Sequence, residues 1–281
     1  MPRVVVGPDG SCKLPEESLH QQGSPRGAEY WLERRDGTLI LLPRQPDLRK
    51  LYVEPTTACN LHCRICVRNV WEDPAAYMDV EVFQTLVEQT ATLPELQRIV
   101  FSGLGEPLVH PHFLEMVRLA RERGLAVTVG TNGLLLDKAA SRALVELGVD
   151  RLVVSLDGVK PETYAGVRGV EIAQVLENIR GLNEAKRKLA SLSPALGIEF
   201  VALRSNVAEL SRLTGLASRL GAARVLVSNV LAYTDEMRAQ VLYGYEPRPP
   251  FGAGGWAVKA DAWGMWGTLG LARMHLGAEQ S

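Results

Sequence analysis

From residue 51 onward the chain alternates, without a break, between short apolar runs and amphipathic stretches. This rhythm restricts the fold more than any other feature of the 281 residues. Residues 51–56, 98–102, 126–130, 151–155, 198–203 and 224–228 read as strands, and 80–91, 111–123, 136–147, 170–189 and 207–220 as helices. Gly148 and Gly221 stand where two of those helices should stop. Strands alternating with helices imply a parallel sheet with right-handed crossovers. Near-continuous apolar runs such as Leu152-Val153-Val154 fit strands covered on both faces. Such a series closes either as an open doubly wound sheet or as a curled partial barrel. In both, ligands sit at the C-terminal strand ends. Every unusual polar motif of the chain falls at such an end, which argues for one active site.

The flanks differ in character. Residues 1–28 carry Gly, Pro, Ser, Gln and charge without periodicity. Tyr30-Trp31-Leu32 and Thr38–Leu42 flank Asp36-Gly37, a hairpin turn signal. After about residue 246 come three prolines and a stretch rich in Gly, Ala and Trp, with no convincing pattern before 268–276. The expected organisation is an N-terminal arm and β-hairpin (1–48), a core domain (49–245) and an irregular tail (246–281).

The net charge of −1 gives no electrostatic case for a nucleic-acid or membrane-surface partner. No apolar run reaches the roughly 18 residues that span a bilayer. The segment beginning Met1-Pro2-Arg3 lacks the apolar core of a secretory signal. The expected compartment is the cytoplasm.

Of the 4 cysteines, Cys59, Cys63 and Cys66 crowd the loop after the first strand of the series, while Cys12 lies alone in a polar segment. Crowded thiols in such a chain bind metal or do redox chemistry rather than staple a fold. Three thiolates from one short loop can converge on a single cluster. A four-iron cluster usually takes four, so three leave one iron open. Zinc is the competing occupant, with His62 as a fourth ligand, although zinc sites usually pair two separated ligand couples. The other polar motifs are Ser102-Gly103-Leu104-Gly105-Glu106-Pro107, Thr131-Asn132-Gly133, Ser155-Leu156-Asp157-Gly158, Arg168 and Asn206. Each is also readable as an ordinary turn or surface group.

The C-x3-C-x2-C loop after the first strand resembles the radical S-adenosylmethionine (SAM) superfamily, which folds as a partial (β/α)6 barrel. The resemblance implies one [4Fe–4S] cluster on Cys59, Cys63 and Cys66, with SAM chelating the open iron. Reductive cleavage of the sulfonium would then give methionine and a 5′-deoxyadenosyl radical. It further implies Ile65 near the adenine, Gly103, Gly105 and Glu106 at the SAM amino group, Asn132 and Ser155 at the ribose and carboxylate, and Arg168 at the carboxylate. The family's Gly-Gly-Glu element is here interrupted by Leu104. Cys66-Val67-Arg68-Asn69-Val70-Trp71 and the segment 228–237 resemble one subgroup, the maturases that accompany tungsten-containing aldehyde ferredoxin oxidoreductases. The subgroup implies maturation of a tungsten or molybdenum pterin cofactor or its oxidoreductase, and ferredoxin or flavodoxin as electron donor. A peptide-modifying maturase and a non-catalytic iron–sulfur or zinc paralogue are the alternatives. Relatives of this kind usually carry auxiliary clusters in a cysteine-rich extension, but no cysteine follows Cys66 here.

Overall fold

The structure, a computed structural model, describes residues 8–9, 30–35, 38–43, 48–242, 260–261 and 264–267. Cys12, the turn residues 36–37 and most of the tail lie outside the described residues. The chain divides into two units, Met1–Arg49 and Lys50–Ser281. In the first, β1 (Tyr30–Arg35) and β2 (Thr38–Pro43) pair antiparallel, with Tyr30 opposite Pro43 and Arg35 opposite Thr38, as the hairpin signal requires.

The second unit is built on β3 (Lys50–Val53), β4 (Arg98–Phe101), β5 (Ala126–Thr131), β6 (Arg151–Ser155), β7 (Ala195–Ala202) and β8 (Arg224–Asn229). They lie side by side in sequence order and every neighbouring pair is parallel. This is the six-stranded α/β sheet of a partial barrel, with the helices as crossovers. Those helices are α1 (Val80–Gln89), α2 (Phe113–Glu122), α3 (Lys138–Glu146), α4 (Pro161–Arg168), α5 (Ile172–Lys188) and α6 (Leu210–Arg219). A short α7 (Asp235–Gln240) follows the last parallel strand.

Period-two alternation decides which strand face meets the helices. Ile99 and Phe101, Val127 and Val129, Leu152 and Val154, Ile198 and Phe200 are buried in the main core. Phe101 touches Phe83 of α1 at a 5.4 Å centroid distance and Phe113 of α2 edge-on at 5.3 Å. The intervening residues, only partly buried, face the other way. Gly148 and Gly221 adopt φ of 70° and 72°, the left-handed conformation that ends a helix at a residue without a Cβ.

Two departures from the sequence reading concern elements. The helix expected over 170–189 is preceded by a separate one, α4, which opens with Pro161 in its first turn and closes on Gly169 at φ 76°. Proline suits a first turn because its missing N–H would lack a partner there anyway. Within the tail, β9 (Ala260–Asp261) and β10 (Gly264–Gly267) extend the sheet antiparallel at the β8 edge, with Trp266 opposite Ser228. Among the described residues no helix is long and apolar enough to cross a membrane.

Candidate active site

A cavity of about 340 Å³ opens at the C-terminal ends of the parallel strands. Each of the ten residues singled out from the sequence lines it: the three cysteines, Ile65, Gly103, Gly105, Glu106, Asn132, Ser155 and Arg168. Nine come from the ends of four strands, β3 to β6, and Arg168 from the end of α4, and the parallel sheet brings them together.

The cysteine loop is fixed by its own backbone and by α4. The Cys66 N–H donates to the Cys63 carbonyl (3.0 Å), the Asn69 amide to the same carbonyl (2.9 Å), and the Arg64 N–H to the Val167 carbonyl (2.8 Å). Cys63 is buried, whereas Cys59 and Cys66 are partly exposed, and all three are free thiols. Burial pushes the Cys63 thiol up, against the charge and hydrogen bond of Arg168. Ile65 both lines the cavity and packs with the small cluster of Val167, Leu203 and Val230. His62 is exposed and does not reach the cavity. Among the described residues no three His, Cys, Asp or Glu side chains gather as a single metal ion would require.

The glycine-rich loop after β4 presses against the exit of β3. A Cβ at Gly105 would overlap the Thr56 carbonyl oxygen and stand 2.7 Å from that of Ala58. The Glu106 N–H donates to the Ala58 carbonyl (2.8 Å). The carboxylate of Glu54 accepts from the backbone N–H groups of Leu104 and Gly105. Glu106 itself is 2% exposed. Its Oε1 accepts from the Thr131 hydroxyl (2.8 Å) and the Leu108 N–H (3.1 Å), its Oε2 from the Asn132 N–H (2.6 Å). Burial pushes this carboxyl up and those three donors pull it part of the way back. The Asn132 amide donates to Asn60 (2.8 Å), which ties the end of β5 to the cysteine loop.

Across the cavity, Arg168 Nη2 pairs with Asp157 Oδ2 at 2.6 Å, the two side chains being 12% and 0% exposed. Arg168 Nη1 also donates to Cys63 Sγ at 3.6 Å. Burial works against the charge on Arg168, but Asp157, Cys63 and Tyr164 outweigh it and hold the guanidinium above its ordinary range. Arg168 Nε and Asn229 Oδ1 are buried at the cavity without a hydrogen-bond partner. Such atoms are costly unless a bound polar group completes them.

Sequence reasoning passed over three of these residues. Asp157 stood in a motif read for Ser155, and nothing local announces its pairing with Arg168. Glu54 follows the first strand directly. Glu199 interrupts an apolar strand, Ile198-Glu199-Phe200, and a lone charge at an inward position is the signal that could have found it. Burial pushes the Glu199 carboxyl up, Asp157 adds to this, and Arg168 opposes it. Asn206 lies elsewhere. It is fully buried, accepts from the Leu203 N–H and donates to the Asp157 and Val201 carbonyls, so its role is to close the loop after β7.

The profile of the Radical SAM superfamily matches residues 53–199. The chain is 36% identical over 197 residues to the tungsten-containing aldehyde ferredoxin oxidoreductase cofactor-modifying protein of Pyrococcus furiosus, covering 70% of this chain and 55% of that protein. It is 34% identical over 199 residues to the PqqA peptide cyclase of Gluconobacter oxydans, covering 69% and 52%. The chain thus spans about half the length of these relatives. Among solved structures, Streptococcus suis SuiB bound to S-adenosylmethionine superposes with a TM-score of 0.58 at 18% identity, covering 74% of this chain and 45% of that one. At that identity the likeness concerns the fold.

Proposed function

The chain belongs to the radical SAM superfamily, and on that premise we propose that Cys59, Cys63 and Cys66 hold a [4Fe–4S] cluster whose open iron takes SAM in the cavity described above. The observation that carries this reading is the lining of one cavity by three free thiols from one loop, a buried Glu106, and an Arg168 whose Nε lacks a partner. The donor set suits the group. A cubic cluster takes its thiolates at separated corners, and among the described residues no three ligands gather on one point as a lone ion would need. Bound together, cluster and SAM would supply reductive cleavage of the sulfonium carbon–sulfur bond.

The residues of this chain supply binding and orientation. Arg168, paired with Asp157, lines the cavity, and its guanidinium suits a carboxylate. A carboxylate offers about four acceptor positions, and Glu106 uses three on its own fold. The fourth suits an ammonium group. Ser155 and Asn132 offer polar contacts to a ribose, and Ile65 an apolar wall to an adenine. Leu231 and Tyr233, both about half exposed, form the rim on the substrate side.

The likeness to the Pyrococcus furiosus protein favours a tungsten or molybdenum pterin cofactor, or its oxidoreductase, as the object of the reaction. The likeness to a peptide cyclase supports peptide modification as the second reading. A low-potential carrier such as ferredoxin or flavodoxin would deliver the electron. Anaerobic reconstitution with iron and sulfide, then dithionite and SAM, tests the core of the proposal. The expected result is 5′-deoxyadenosine from the wild-type chain, and no cluster absorbance in Cys63→Ala. An intact cluster that yields no 5′-deoxyadenosine would overturn it. Stimulation of product formation by a pterin cofactor, and not by peptides, would separate the two substrate readings.

A further inference from the structure

Three alternate strands repeat one pattern: an arginine, three apolar residues and a serine. Arg98-Ile99-Val100-Phe101-Ser102 runs along and just past β4, Arg151-Leu152-Val153-Val154-Ser155 is β6, and Arg224-Val225-Leu226-Val227-Ser228 lies within β8. Residues four apart on a strand share a face. Ser102, Ser155 and Ser228 all line the cavity at the C-terminal strand ends. The three arginines therefore stand on the same inward face at the opposite end, about 13 Å away at ~3.3 Å per residue. In a barrel, inward side chains from alternate strands share a layer.

The strands between them carry small residues at the matching positions. Arg98 is opposite Ala126, Arg151 is flanked by Thr128 and Ala195, and Arg224 is opposite Gly197. The room this leaves is filled by three like charges. Arg98 repels the Arg151 guanidinium and, with burial and then Arg224, holds it below its ordinary range. Asp150 is the acid that opposes them, but its carboxylate is engaged by Arg121 (2.8 Å) and the Val127 N–H (2.7 Å). Among the described residues no ion pair joins Arg98, Arg151 or Arg224 to a carboxylate. Arg98 Nε and Thr128 Oγ1 are also buried without a hydrogen-bond partner. Three converging cations and two unmet buried polar atoms leave a positive mouth whose repulsion and free donors an anion would relieve.

We propose that the N-terminal mouth of the barrel is a binding site for a phosphate-type oxyanion, free or as the phosphoryl group of a larger molecule. Arg98, Arg151 and Arg224 are its cationic donors and Thr128 a hydroxyl donor. The guanidinium fork matches the oxygen spacing of a phosphate, and such charge-assisted bonds are the strong ones. The site lies at the opposite strand ends from the cysteines and does not depend on the function proposed for them.

Isothermal titration of the full chain with inorganic pyrophosphate at fixed ionic strength tests this. Saturable binding is expected, weakened about tenfold or more by Arg151→Gln, the loss of one charged hydrogen bond, and left unchanged by Arg187→Gln, an exposed arginine elsewhere. Thermal unfolding gives a second readout. Pyrophosphate should raise the midpoint of the wild type but not of Arg151→Gln, and without anion the variant should melt higher because repulsion is relieved. Should Arg151→Gln fold poorly, Arg224→Gln, at an exposed position, takes its place. A titration with ATP assigns the source: tighter binding than pyrophosphate points to a phosphoryl group on a larger molecule, equal binding to the free ion. Absence of saturable binding, or equal weakening by Arg187→Gln, overturns the proposal.

Discussion

Gly105 is constrained from outside its own loop. The space a side chain would need belongs to the carbonyl oxygens of Thr56 and Ala58, and backbone does not yield as a flexible side chain does. The same contact sets Glu106 beside Thr131 and Asn132, and so sets the floor of the cavity. Gly105→Ala should therefore push the loop off β3, lower stability by about 1–3 kcal/mol, and weaken SAM binding as read by equilibrium dialysis. Unaltered affinity and an unaltered melting midpoint would show that the loop tolerates the displacement and that its closeness to β3 does not matter. The family resemblance implies Gly105 at the SAM amino group. The observed close approach is to the chain's own backbone just past β3.

The element that organises the site is α4. It carries Arg168 toward the cysteines, its Val167 carbonyl accepts from the cysteine loop, and Tyr164 is fully buried beneath it with its hydroxyl pushed up to about 12 by burial. Its entry is fixed by a residue nearly fifty positions away. The Glu209 carboxylate accepts from the Val159 N–H (2.5 Å), the Lys160 N–H (3.0 Å) and the Thr163 hydroxyl (2.5 Å), and the Lys160 N–H is one of the donors that a helix start leaves open. Burial alone would raise the Glu209 carboxyl, but these three bonds outweigh it and hold it below its ordinary value. A depressed carboxyl contributes stability above its unfolded pKa and loses it as pH falls through the folded one. Glu209→Gln should therefore cost about 1–2 kcal/mol near neutral pH, and the gap from wild type should narrow in acid, as pH falls below the ordinary carboxyl range and through the lowered folded value. Urea unfolding at neutral and at acid pH measures this. A gap that stays constant with pH would mean that the charge on Glu209 contributes nothing to holding α4.

At the scale of the molecule, core and site are separate. The main apolar cluster runs between the sheet and α1 to α6 and includes none of Cys59, Cys63 or Cys66. Folding should therefore not require the cluster, unlike a small zinc domain that unfolds without its metal. Chelating the iron from reconstituted protein is expected to abolish the cluster absorbance while the far-ultraviolet circular dichroism stays unchanged. Collapse of helical signal on chelation would place the cysteine loop in the folding nucleus instead.

Much of this was legible in the sequence because it rests on local rules. The βα rhythm, the glycine stops at 148 and 221 and the three crowded cysteines depend on period, backbone conformation and thiol chemistry, which a chain displays in order. The meeting of the ten candidate residues in one cavity was legible for a related reason: a parallel sheet sends every C-terminal strand end to one rim, so motifs that follow strands must meet. Pairings that cross the sheet were not legible. Asp157 with Arg168, Glu209 with the start of α4, and the arginine layer at the far mouth each join residues whose separation in sequence says nothing of their distance. The sequence by itself determined the parallel α/β fold and the thiol loop at its first strand end. Only the tertiary structure decided which charges are paired, which stay uncompensated and which glycine is indispensable, because electrostatics and close contact act through space and not along the chain.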